Sequence, residues 1–265
     1  SNQIANTTLT NTQNDITVQS LNNGTFVMTW TSTDSSQDGS ASSVIGRIFD
    51  NDGTPFNQAP HNGAEFVVNT KVSSTQSSSQ IAVLPNGEFA VVWQTFDSDT
   101  GDNSGWGVAM QRFAATGQPL GSELLVNTTV SGNQDTADIS ALASSTALPD
   151  GGYVVSWQSP DANSTGIFAQ VFDASGNAVG SEFHVNTSVS GSQTSTLSNV
   201  RSNLSRPAST VNFSSRSLIV RLLCISKAAK ARLTVRLRAT SSRWARSRSS
   251  VCWAAVRVRS SNFFK

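Results

Sequence analysis

The residues best suited to chemistry lie in one stretch, Phe96-Asp97-Ser98-Asp99-Thr100-Gly101-Asp102-Asn103. Asp97, Asp99 and Asp102 fall on alternate or near-alternate positions of a glycine-containing turn. Hard cations gather side-chain and carbonyl oxygens from short acidic loops, so these three carboxylates are the candidate metal ligands and calcium the expected ion. The stretch lacks the closing bidentate Glu of an EF-hand. Equivalent stretches hold Asp34 and Asp38, and Asp161, and are poorer in acid.

Other chemistry is sparse. The histidines are His61, in a polar loop beside Asn62-Gly63, and His184, which aligns with Val67 and Leu125 and so reads as a strand residue. There is no HExxH pair for zinc, no GxxxxGK[ST] phosphate cradle and no GxSxG nucleophile turn. Carboxylates are plentiful, but nothing pairs them as glycoside hydrolysis requires. No catalytic residue is assigned, and none is assigned to bind a cofactor. Asn6, Asn127 and Asn186 stand in Asn-x-Ser/Thr triplets. Asn69 matches them in place but is followed by Thr70-Lys71, so the position reads first as a strand end whose side chain bonds nearby backbone.

These residues are carried by a repeat. QSLNNGTFVMTW, AVLPNGEFAVVW and TALPDGGYVVSW end at Trp30, Trp93 and Trp157, 63 and 64 residues apart. Each is followed by a polar, Asp-containing stretch, then by SVIGRIFDNDG, GVAMQRFAATG or GIFAQVFDASG. Each unit closes on AEFVVNT, GSELLVNT or GSEFHVNT. Period-two alternation puts Phe26, Met28 and Trp30 on one face of a strand, as it does Phe89, Val91 and Trp93, and Tyr153, Val155 and Trp157. Ile45–Phe49, Ala109–Phe113 and Phe168–Phe172 repeat the strand pattern. Asn23-Gly24, Asn86-Gly87 and Asp150-Gly151 read as two-residue hairpin turns.

The expected fold is all-β: a propeller-like array of four-stranded units of about 60 residues, with tandem small β-sandwiches as the alternative. The tryptophans are expected to pack between adjacent sheets, each with an indole N–H to satisfy. The expected boundaries are residues 1–8 (end of a preceding repeat), 9–70, 71–128 and 129–187 (three repeats), 188–197 (start of a fourth) and 198–265 (a basic tail). Three units are too few to close a ring. The chain begins at Ser1 without Met or a signal-like segment, and reads as an internal fragment or a mature chain. It contains no apolar run long enough for a membrane span.

LPDGGYVVSW, GIFAQVFDASG and GSEFHVNT resemble the tandem repeats of very large secreted bacterial proteins of the RTX, calcium-binding and adhesin type. The resemblance covers residues 4 to about 197. It implies a secreted or cell-surface setting, other repeats of the same parent chain as neighbours, and an extracellular glycan or protein as partner. The glycine-rich nonapeptide of the RTX calcium roll is absent.

Charge is segregated. Residues 1–197 hold all 17 acids and only Arg47, Lys71 and Arg112, a net of −14; residues 198–265 hold 15 bases and no acid. Cys224 and Cys252 lie in that tail and are given no role. Sliding the reading frame by two bases through codons permitted for Arg238–Ser242 and Arg257–Ser261 allows GDIFA, comparable to GIFAQ at Gly166, and GSEF, as at Gly180. The tail is therefore read as out of frame, or as disordered, and contributing nothing to a core. The favoured function is a structural or adhesive repeat region. A carbohydrate-binding module or exoenzyme propeller, with Trp106 as its exposed aromatic, is the second reading. Nucleic-acid binding by the tail is third and least favoured.

Overall fold

In a computed structural model of the chain, the described residues are 5–7, 10–96, 101–102, 104–187 and 191–193. The tail and the start of a fourth repeat beyond residue 193 lie outside them. All the described structure is β. The first sheet comprises β1 (Gln13–Ser20), β2 (Thr25–Ser32), β3 (Ser43–Asp50) and β4 (Phe66–Val67). The second comprises β5 (Gln76–Val83), β6 (Phe89–Thr95), β7 (Gly107–Phe113) and β8 (Pro119–Leu125). The third comprises β9 (Asp135–Leu142), β10 (Gly152–Pro160), β11 (Thr165–Asp173) and β12 (Ala178–His184). Each is a four-stranded antiparallel meander in chain order, and the described sheets do not close on one another. Among the described residues no helix is long and apolar enough to cross a membrane.

The hairpin turns differ from the sequence expectation. A two-residue turn of the Asn-Gly kind needs both central residues at positive φ. Here only the glycine is positive, at φ 88° for Gly87. Gly87 N–H bonds Leu84 O at 2.9 Å and Leu84 N–H bonds Glu88 O at 2.8 Å, enclosing the three-residue loop Pro85-Asn86-Gly87. Proline is fixed near φ −65°, which suits the first central position of a type I turn and forbids its mirror image. The left-handed glycine then forms the bulge. Gly53, Gly117 and Gly176 bond back to Asp50, Ala114 and Asp173 in the same way.

A second bulge was not visible in the sequence. Asp15, Ser78 and Thr136 all sit at positive φ, between 52° and 57°. Each lies two residues after a glutamine (Gln13, Gln76, Gln134), at the register break in the first strand of its sheet.

The sheets pack face against face. The first sheet contributes Leu21, Val27, Val44, Ile48 and Phe66 to one apolar seam. The second answers with Ile81, Phe89, Val91, Trp93 and Phe113. Its opposite face, including Leu84, Ala90, Val92 and Met110, meets Ile139, Tyr153, Val155 and Trp157 of the third sheet in another seam. The predicted face-sharing along β6 and β10 is observed, and the middle sheet is covered on both sides. Trp30, Trp93 and Trp157 are all buried, at 3%, 0% and 0% exposure. The expected partner for the indole N–H is not found: in all three the nitrogen is enclosed without a hydrogen-bond acceptor.

Candidate functional site

The chemistry-bearing residues of each repeat converge where the last strand leaves its sheet. Val68, Val126 and Val185 donate their N–H to the carbonyls of Val44, Val108 and Ile167. The chain then turns away, and the next residue, Asn69, Asn127 or Asn186, replaces the missing rung. Its Oδ1 accepts the N–H of Val44 (2.9 Å), Val108 (2.8 Å) or Ile167 (2.6 Å). A buried amide left unpaired would cost about 1–3 kcal/mol, which explains an asparagine at every unit end. The expected bond to nearby backbone is made as well, from Nδ2 to Lys71 O or Thr129 O.

The other Nδ2 hydrogen ties this strand end to the acidic loop. Asn69 donates to Asp38 Oδ2 at 3.0 Å, and Asn127 to Asp102 Oδ2 at 2.9 Å. Asp102 Oδ1 accepts Ser104 N–H, as Asp38 Oδ1 accepts Ser40 N–H. Asn127 and Asn186 also reach Gln134 Oε1 (3.1 Å) and Gln193 Oε1 (2.8 Å) on the segment entering the next unit. Asp102 is 2% exposed. Its carboxylate accepts N–H groups of Ser104 and Asn127. Asp97 and Asp99 lie outside the described residues, and the calcium expectation rests on them. Among the described residues no cluster of three or more His, Cys, Asp or Glu could hold a metal.

One functional residue was missed by the sequence reading: the glutamate of the closing motif. Gly121 and Gly180, at φ 75° and 78°, lie by the register shift in the last strand and precede Glu123 and Glu182 by two residues. Glu123 crosses to the previous unit, where Oε2 accepts Thr70 N–H (2.5 Å), Thr70 Oγ1 (2.8 Å) and Lys71 N–H (3.2 Å). Glu182 grips Thr128 and Thr129 in the same manner, at 2.7, 2.9 and 3.3 Å. Glu65 accepts the N–H of Thr7, so Ala5–Thr7 sit as a preceding unit's end would. The available signal was the fixed offset between this acid and the VNT triplet.

The histidines are structural in placement. His61 stacks on Phe66 at 4.3 Å and bonds Gly117 O at 3.0 Å, in a crevice lined also by Ile48, Phe56 and Thr116. His184 ends β12 and stacks on Phe168 at 4.6 Å, with Nε2 3.8 Å from Asp161. The N–H groups of Asn163 and Ser164 hold the Asp161 carboxyl below the usual range. Tyr153 and Arg112 meet at the second seam, where burial pushes the phenol well above its ordinary pKa. Arg112 bonds Glu88 (3.0 Å) and Ser175 O (2.5 Å), joining two units. Trp106 is half-buried and meets Phe96, 49% exposed, edge to face at 5.4 Å.

No family model matches the chain, and no curated protein matches it. Solved structures with partial likeness include a protein of unknown function from Dyadobacter fermentans (17% identity, TM-score 0.40, 64% of this chain and 41% of that one). An α-L-arabinofuranosidase from Lactobacillus brevis is 13% identical, with TM-score 0.39, over 67% of this chain and 57% of that one. An N-acetylgalactosamine deacetylase from F. plautii, in complex with blood group B trisaccharide, is 11% identical, with TM-score 0.36, over 62% and 49%. The chain thus spans between 41% and 57% of these proteins. Likenesses this distant assign neither activity nor ligand.

Proposed function

We propose that the chain is a structural or adhesive repeat region of a large exported bacterial surface protein, a scaffold whose units are stacked as the blades of a propeller-like array. The supporting observation is the recurrent glutamate–threonine latch: Thr7 to Glu65, Thr70 to Glu123 and Thr128 to Glu182. What repeats is the hardware that joins one unit to the next. Arrays of this kind resist separation of neighbours because each unit is stabilised through its interfaces. Calorimetric titration with a glycan panel tests the reading. The scaffold gives no glycan heat; saturable glycan binding overturns it. Calcium is tested alongside. A rise in melting temperature that vanishes on changing Asp97 and Asp99 to Asn assigns the ion to that loop, and no rise removes calcium from the proposal.

A second reading, a carbohydrate-binding module, is favoured by the Phe96–Trp106 pair, an aromatic surface on the loops following β6. Glycan heat abolished by Trp106→Ala, with the fold retained, would establish it.

A further inference from the structure

We infer that the outer face of the first sheet is a docking face for one more four-stranded repeat of this same build, whose last strand would run into Ala5–Thr7. The inference rests on the scaffold reading and names the partner. On the second sheet, Ile81, Phe89 and Val91 are buried at 1%, 0% and 0% exposure against the preceding sheet. Counting back by the 63-residue repeat, the same positions of the first sheet are Val18, Phe26 and Met28. Cross-strand pairing confirms the correspondence: Val18 faces Met28 as Ile81 faces Val91. Here Val18 is 58% exposed, with Ile16 beside it at 64%, and Phe26 and Met28 are only half-buried, so the open part of this face is the strip they form; Trp30, Ile45 and Phe49 of the same face are already buried.

The face is also pre-shaped. Phe26 stacks on Phe49 at 5.2 Å and 14°, and Phe89 stacks on Phe113 at 5.2 Å and 17° inside the first seam. A seam-type aromatic pair is thus assembled on a face that no described sheet covers. At its margin, Glu65 holds Thr7 and Arg47 Nη1 holds Ala5 O at 2.7 Å. These contacts fix the exit of an incoming last strand where Thr70 and Thr128 exit theirs. The continuity of one interface through two seams, together with the occupied latch, identifies the missing neighbour as a repeat rather than an unrelated protein.

The two methionines provide the readout. Met28 lies on the open face, and Met110 is fully buried between the second and third sheets. In the full chain, peroxide should oxidise Met28 roughly tenfold or more faster than Met110, since exposure governs the reaction. Val18→Lys should leave the melting temperature unchanged, while Ile81→Lys should abolish cooperative unfolding. A further copy of residues 71–127 joined so that its Asn127 takes the place of Asn6 should then slow Met28 oxidation to the Met110 rate. A folded extended chain in which Met28 stays reactive overturns the inference. So does an unextended chain in which Val18→Lys is as damaging as Ile81→Lys, because the face is then already covered. Glycan binding would sink the scaffold reading and leave these results untouched.

Discussion

The two seams share an apolar pattern and differ at their edges. In both, a bulky residue at the start of the strand and a Trp near its end enter the preceding sheet: Phe89 and Trp93 in one, Tyr153 and Trp157 in the other. Both are latched by a glutamate. The first seam is braced further by Asn22, whose amide bonds Leu84 O (2.9 Å) and Pro85 O (2.8 Å), and by His61 on Gly117 O. The second uses Arg112 between Glu88 and Ser175. The difference teaches which parts of the repeat hold the array and which are local. Indole, asparagine and glutamate recur because the geometry at every joint needs them. Histidine and arginine are single solutions to one turn meeting the next.

Breaking the shared parts should therefore hurt both seams alike. Trp93→Ala and Trp157→Ala are each expected to cost about 3–5 kcal/mol, measured by urea unfolding, because each empties a fully buried site. A much smaller loss at one of them would mean that its seam is slack. Asn127→Ala should cost about 2–3 kcal/mol, since it orphans the Val108 amide and the Asp102 carboxylate together. Asp102→Ala should destabilise equally in calcium and in chelator, because its described partners are N–H groups. Glu123→Gln and Glu182→Gln, at more exposed positions, should each cost about 1 kcal/mol and match one another.

Acidification sharpens the comparison in another way. Asp34 is held below the usual carboxylate range, first by the Thr10 hydroxyl and then by Ser36. Asp161 is held there by the amides of Asn163 and Ser164. Such groups favour the folded state above the ordinary Asp pKa of about 3.9, and their contribution fades as pH falls through it towards their lower folded values. The unfolding midpoint should drop between about pH 5 and about pH 2, and Asp161→Asn should flatten part of that drop.

Much of this architecture can be read from residue order. Alternation at period two was enough to assign Phe89, Val91 and Trp93 to one face, because residues two apart in a strand point to the same side. The VNT asparagine and the turn glycines were equally plain. The turn type was misjudged although Pro85 carried the correcting signal. The bulges at Asp15, Ser78 and Thr136 were illegible, since three different short polar side chains adopt one left-handed conformation and no glycine marks it. That Asp102 accepts a bond from Asn127, 25 residues on, was illegible because spacing along the chain does not show such a pairing. The glutamate latch escaped notice for a similar reason: its partner lies 53 residues back, in the unit before.

Native-state hydrogen exchange of Trp93→Ala against the parent chain tests the account most directly. Stacked, mutually dependent units predict faster exchange in the strands of the first sheet as well as the second, since the lost indole belonged to the seam they share. Acceleration confined to Gln76–Leu125, with Gln13–Val67 unchanged, would show the units to be independent beads and contradict it.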